Sequence, residues 1–180
     1  MRALLLAELD RYEPADARER EMAERLRRFV AANADCFERS LLVGHVTGSA
    51  WVVDRALEAV LLTHHRTLDR WLQLGGHADG DGDVRRVALR EAREESGITD
   101  IVAASEGIYD VDVHEIPARG AEPAHVHYDV RYAFFADRRA VPVASGESHA
   151  VAWIALADLP RFGADASVLR LRAKTERLRA

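Results

Sequence analysis

The densest chemical signal in the chain is R-E-A-R-E-E-S-G, which spaces Glu91, Glu94 and Glu95 at i, i+3 and i+4. On an α-helix those three carboxylates share one face. Like charges at this spacing oppose one another by roughly 0.2–0.5 kcal/mol per exposed pair, so three together call for a partner. A hard divalent cation is one: Mg²⁺ takes carboxylate oxygens, keeps several waters and is completed by substrate phosphates. The glutamates alone are equally compatible with a solvated face balanced by Arg90 and Arg93. Just upstream, Gly75, Gly76, Gly80 and Gly82 read as a flexible loop at the entrance to the same helix, able to bring backbone close to an anion.

Together these residues resemble the Nudix box, G-x5-E-x7-R-E-U-x-E-E-x-G-U, where U is a bulky aliphatic residue. Gly76, Arg90, Glu91, Glu94, Glu95, Gly97 and Ile98 match in register. The five residues of R-E-x2-E-E-x-G alone would recur by chance about once in 10⁶ starting positions at ordinary residue frequencies. The preceding L-L-T-H-H-R-T-L-D-R-W-L-Q-L-G-G-H-A-D is similar to the strand, tryptophan and glycine run that leads into the box. Two positions depart: Gly82 stands where the family has its first glutamate, flanked by Asp81 and Asp83 as stand-ins, and Ala92 replaces a larger aliphatic residue.

The resemblance implies an α/β fold, a Nudix-like α/β/α sandwich with a mixed sheet, and hydrolysis of a diphosphate linked to another moiety, usually a nucleoside. It implies Mg²⁺ or Mn²⁺ as cofactor. Glu94 and Glu95 match the principal metal ligands, Glu91 a further ligand or water-activating base, the Gly76 carbonyl a metal contact, and Arg90 the arginine that orients the glutamates. The stretch S-G-E-S-H-A-V-A-W resembles the late loop that supplies an extra acidic residue in many members, which makes Glu147 a candidate base or ligand. The implied partner is a small phosphoanhydride, and the family's habit of dimerising leaves a homodimer open. Two other readings stay in play: a Nudix-fold binding or sensor protein without turnover, motivated by Gly82, and an isopentenyl-diphosphate-isomerase-like enzyme. The latter needs a site cysteine, and Cys36 precedes the first expected strand. The chemistry agrees with the residues: attack of water on an anionic phosphorus needs charge neutralisation, an activated nucleophile and alignment, all of which a carboxylate-held metal supplies.

A second polar cluster lies in H-V-H-Y-D-V-R. Strand alternation puts His125, His127, Asp129 and Arg131 on one face, with Val126, Tyr128, Val130 and Tyr132 on the other. In I-Y-D-V-D-V-H-E-I, Asp110, Asp112 and His114 alternate likewise. Pairing 114 with 125 would set 112 against 127 and 110 against 129 in a hairpin. Three readings compete for this face: substrate recognition by its His, Asp and Arg side chains, a solvated salt-bridge network on an edge strand, or a transition-metal site using His114, His125 and His127. His77, directly after the box glycine, is a candidate phosphate contact.

The elements that must position these groups follow from periodicity. Residues 1–40 repeat apolar side chains at three and four, with a helix start at Pro14 and Asp16 and a break at Asn33, so an N-terminal helical extension is expected before a Nudix-type domain over 41–180. H-V-T-G-S-A-W-V-V-D and L-E-A-V-L-L-T-H-H read as a hairpin, and V-R-R-V-A-L-R-E-A-R-E-E-S as a helix stopped by Gly97. V-A-W-I-A-L is a further strand, followed by terminal helices. The 180 residues suit one ordinary domain. A formal charge of −5 argues against a nucleic-acid polymer as partner, and the lack of an apolar run long enough to span a bilayer, or of a signal peptide, argues for the cytoplasm. The single cysteine, Cys36, reads as a small buried apolar residue.

Overall fold

The computed structural model describes residues 2–120, 123–146 and 148–179. Two helices open the chain, α1 (Arg2–Arg11) and α2 (Ala17–Ala32). Asp16 starts α2 by accepting a hydrogen bond from the Glu19 amide at 2.8 Å, which satisfies one of the helix's orphan donors. The apolar stripe then buries Met22, Leu26, Phe29 and Val30.

Among the described residues, eight strands follow in one mixed sheet: β1 (Gly44–Val53), β2 (Ala59–His65), β3 (Arg70–Leu72), β4 (Leu74–His77), β5 (Ile101–Ala103), β6 (Asp110–Ile116), β7 (His125–Ala136) and β8 (Ser148–Ala155). The helix α3 (Val84–Ser96) stands between β4 and β5, and α4 (Ala166–Lys174) lies between 3₁₀ turns at Leu156–Phe162 and Thr175–Arg179. The long strands β1 and β7 run parallel from Gly44↔Val126 to Val53↔Phe135, and every other pairing is antiparallel. The sheet forks beside β1, whose central residues pair with β4 while its end turns into β2. Asp54 closes that hairpin by accepting from the Glu58 and Ala59 amides, both at 2.8 Å.

Helices cover both faces, as an α/β/α sandwich requires. Leu5, Leu9, Met22, Leu26 and Val30 from α1 and α2 join Val84, Val87 and Ala88 of α3 against Val46, Val52, Val130 and Phe134. On the opposite face, Val168, Leu171 and Leu159 pack on Trp51, Val60, Leu62 and Ala133. The expected N-terminal helices thus share the core with the sheet. Helix and sheet approach closely at Gly48, where a Cβ would stand 2.9 Å from the Val84 carbonyl oxygen and 3.1 Å from Val87 Cγ1, so this glycine lets α3 settle on β1.

Two expectations change. The glycines at 75 and 76 belong to β4 and not to a loop, because Ser49↔Gly75 and Gly48↔Gly76 pair across the sheet. The β6–β7 hairpin pairs His114 with His127, Asp112 with Asp129 and Asp110 with Arg131, two residues away from the expected register. A two-residue slip leaves every side chain on its face, so alternation cannot distinguish the two registers, and the long connection does not fix one. The one adopted sets Asp110 opposite Arg131.

Candidate active site

The carboxylates of α3 meet the backbone of β4. The Gly75 amide donates to Glu95 Oε2 at 2.9 Å, and a Cβ on Gly76 would fall 2.6 Å from Glu91 Cδ and Oε2. Glycine at 76 therefore keeps open the space that the Glu91 carboxylate occupies. Arg90 Nη2 donates to Glu91 Oε1 at 2.8 Å and to the His77 carbonyl at 3.1 Å, joining helix and strand. Glu95 is only 8% exposed, whereas Glu94 is open to solvent. Asp83 caps α3 by accepting from the Arg86 amide at 3.1 Å, and Gly97 ends it in the left-handed region at φ 68°. The loop between is fastened from outside: Arg39 holds Asp79 through two bonds of 2.7 and 2.8 Å, and the Gly80 amide donates to the Phe37 carbonyl.

Beside this lies the polar face of the sheet. The parallel register brings His45 opposite His127, and their Nε2 atoms are 3.2 Å apart. His125 Nε2 is 3.1 Å from the same His127 atom. His77, at the end of β4, places its ring 5.0 Å from that of His45 and 5.3 Å from that of His127, and the His114 ring is 5.6 Å from His127. Burial, reinforced by the neighbouring histidines, lowers the His45 pKa to about 4 and that of His127 to about 2, so both rings are neutral at pH 7.

Deeper on the same face, Asp129 accepts from Thr47 Oγ1, Ser49 Oγ and Arg131 Nε at 2.9, 2.8 and 2.7 Å. Arg131, 1% exposed, also reaches Asp110 at 3.3 Å and Asp112 at 3.4 Å. Arg170 of α4 binds both Asp110 and Asp112, and Lys174 binds Asp110 and continues to Glu19 of α2. For Asp110 and Asp112 burial works against ionisation. Arg170 with Arg131 and Lys174 for the first, and His114 with Arg131 and Arg170 for the second, outweigh it and hold both carboxyls below the usual range.

The NUDIX domain family matches residues 44–172. The chain belongs to the Nudix family of hydrolases. No curated protein sequence matches it significantly. Among solved structures, it is similar to a Caenorhabditis elegans Ap4A hydrolase (TM-score 0.58, 19% identity, 73% of this chain and 94% of that one). An Escherichia coli dihydroneopterin triphosphate pyrophosphohydrolase (0.56, 17%, 73% and 92%) and a Burkholderia pseudomallei MutT Nudix hydrolase (0.52, 23%, 73% and 97%) are also similar. At these identities the likeness establishes the fold.

In this Nudix domain the box residues Gly76, Arg90, Glu91 and Glu95 come together on one side of β4, and Glu94 shares their helix. An all-oxygen carboxylate set gathered against the Gly75–Gly76 backbone, with glycine at 76 making room for the Glu91 carboxylate, fits a hard cation such as Mg²⁺ or Mn²⁺. At the departure from the box, Asp81 is engaged by Arg86 at 2.6 and 2.8 Å, and Asp83 accepts from the Arg86 amide at the helix start. Arg86 holds the Asp81 carboxyl below its ordinary pKa. Of the residues expected to contact substrate, His77, His125 and His127 line the histidine cluster, while Asp129 and Arg131 lie sealed beneath it. That face is interior to the sheet and not an edge, since β7 has β1 on one side and β5 and β6 on the other. Glu147 lies outside the described residues. Cys36 is fully buried and its thiol is pushed up to about 11, an inert core side chain. Sequence reading missed His45, Thr47 and Ser49. Their alternation in G-H-V-T-G-S is a visible signal, but its meaning depends on the pairing with β7.

Proposed function

We propose that this Nudix protein hydrolyses a pyrophosphate bond in a nucleoside diphosphate linked to another moiety, or in a related small phosphoanhydride, with Mg²⁺ or Mn²⁺ as cofactor. The observation that carries the reading is the gathering of the α3 glutamates against the Gly75–Gly76 backbone. Glu91, Glu94 and Glu95, with the Gly76 carbonyl, would hold the cation. When bound, it supplies charge neutralisation at the phosphate and an activated water. The chain's own groups orient these ligands: the Gly75 amide fixes Glu95, and Arg90 fixes Glu91 while tying α3 to His77. His77, His125 and His127 form the substrate side, supported from below by Asp129 and Arg131, and Glu147 is proposed as an additional base or ligand. The first 40 residues serve as a cover, and 41–180 as the catalytic domain acting in the cytoplasm. Among the described residues no helix is long and apolar enough to cross a membrane. The names of two similar structures, a hydrolase of Ap4A and a pyrophosphohydrolase of dihydroneopterin triphosphate, favour the same bond class.

One observation favours a second reading, a binding or sensor protein: Gly82 removes a carboxylate, and Asp81 and Asp83 are occupied elsewhere. The deciding experiment is phosphate or nucleotide release from a panel of diphosphate compounds with Mg²⁺ and with Mn²⁺, for wild type and for Glu94→Gln with Glu95→Gln. Metal-dependent turnover should appear and fall in the variant by more than the roughly 10- to 100-fold that loss of an outer-shell partner costs. Tight binding with no turnover on any compound would select the sensor reading.

A further inference from the structure

The histidine cluster takes only His77 from the box segment and uses none of the box carboxylates. Three strands deliver it: His45 from β1, His77 from the end of β4, and His127 from β7, with His125 one pleat away. One ligand atom from each of His45, His77 and His127 lies within 4.8 Å of the others.

Hydrogen bonding does not account for this arrangement. A ring nitrogen carries either one proton or one lone pair, so His127 Nε2 can satisfy only one neighbour, yet the Nε2 atoms of His45 and His125 both stand 3.1–3.2 Å away. Nitrogens bound to a common tetrahedral zinc at 2.0–2.1 Å are about 3.3 Å apart, close to both spacings. The tautomer of the adjoining His125 agrees. His125 Nδ1 lies 2.9 Å from the carbonyl of Pro123, which can only accept, so Nδ1 carries the proton and Nε2 turns a bare lone pair toward the cluster. An outer hydrogen bond from the second ring nitrogen to a carbonyl or carboxylate is the usual support of a ligating histidine, and His114 at the rim repeats it through Asp112 at 3.0 Å.

We propose that His45, His77 and His127, with His125 as the adjoining donor, bind one divalent transition-metal ion of the zinc class, separate from the carboxylate site of the box. The donor types sort the two sites: imidazole suits zinc, cobalt, nickel or copper, and carboxylate suits magnesium or manganese. The bound ion clamps β1, β4 and β7 together directly behind Gly76, where Arg90 holds the His77 carbonyl. The histidines then act on the substrate side through the ion and not by direct contact.

The test uses the untagged full chain, stripped with chelator and titrated with Co²⁺ in excess Mg²⁺, followed by elemental analysis and visible absorption. One Co²⁺ per chain is expected, with the strong visible band of tetrahedral cobalt and displacement by Zn²⁺. Binding should survive Glu94→Gln with Glu95→Gln and weaken by more than about tenfold in His45→Gln and in His77→Gln. His77, half-buried at a strand end, gives the variant that leaves the core untouched, and circular dichroism checks the fold of both. No cobalt bound by the wild type under these conditions would overturn the proposal. So would binding lost in the glutamate variant but kept in the histidine variants, which places the ion in the box. Stabilisation by inorganic phosphate but not by Zn²⁺ would make the cluster an anion site and overturn it too. Because the readout is metal content, this outcome is independent of whether the chain hydrolyses any substrate.

Discussion

Gly76 illustrates how one residue type sets the chemistry of its neighbours. Its side of β4 is taken by the Glu91 carboxylate, so Gly76→Ala must displace that group, whereas Gly75→Ala would collide with Ser49 and the Gly48 backbone. The obstacle at 76 is the end of a flexible side chain, which can swing away at little cost to the fold. Gly76→Ala is therefore expected to leave the melting temperature within a few degrees of wild type while lowering kcat by about 10- to 100-fold, as for other losses of ligand positioning. Steady-state kinetics beside a thermal melt checks it, and a large fall in melting temperature with unchanged kcat would refute it. At this scale much of the box is readable in advance, since Glu91, Glu94, Glu95 and Arg90 announce themselves by spacing. His45 does not. It lies 32 residues before His77 and 82 before its partner His127, and only the parallel pairing of distant strands gives it a role.

At the level of elements, α3 is the most legible feature because Val84, Val87, Ala88 and Ala92 recur on one face and Gly97 supplies the left-handed stop. Its start at Val84 is read from the sequence as well, and the hydrogen bond from the Arg86 amide marks Asp83 as the residue that caps it. Asp83→Ala should cost about 1 kcal/mol, the usual price of an N-cap. In a chain of this size that is a drop of roughly 2–4 °C in melting temperature, read by calorimetry. Asp81→Ala, which removes only an exposed pair with Arg86, should cost less. The strand β4 was illegible for a physical reason: glycine is depleted in strands because it packs nothing, but here Ser49 Oγ and Glu91 already fill the places its side chains would take. The β6–β7 register was equally hidden, since both registers keep the aspartates facing Arg131 and only the three-dimensional ion pairs choose between them.

Across the whole molecule, the buried ionic network ties the first helices, the sheet and the last helix into one unit. Glu19 of α2 meets Lys174 of α4, Lys174 and Arg170 meet Asp110, and Asp110 and Asp112 meet Arg131. This network makes stability depend on acid. Asp110 and Asp112 are held below their unfolded pKa of about 3.9, so at neutral pH both are ionised folded and unfolded, and their pairing contributes in full. As pH falls below about 5 the unfolded chain takes up protons first, and the contribution is lost progressively as pH drops toward the folded values. Arg170 is the basic partner best placed for a test, because it bonds both aspartates from a partly exposed helix position and is not sealed like Arg131. Arg170→Met should lower stability at pH 7 by about 1.5–3 kcal/mol, the range for hydrogen bonds to charged groups. It should also raise the pKa of both aspartates, so the variant loses less than wild type between pH 5 and pH 3 and the two curves converge in acid. Urea midpoints measured over that range in chelator decide the matter, with the histidines common to both proteins and cancelling in the difference. Parallel curves would mean that Arg131 and Lys174 alone hold the aspartates ionised and that α4 is fastened by its apolar face.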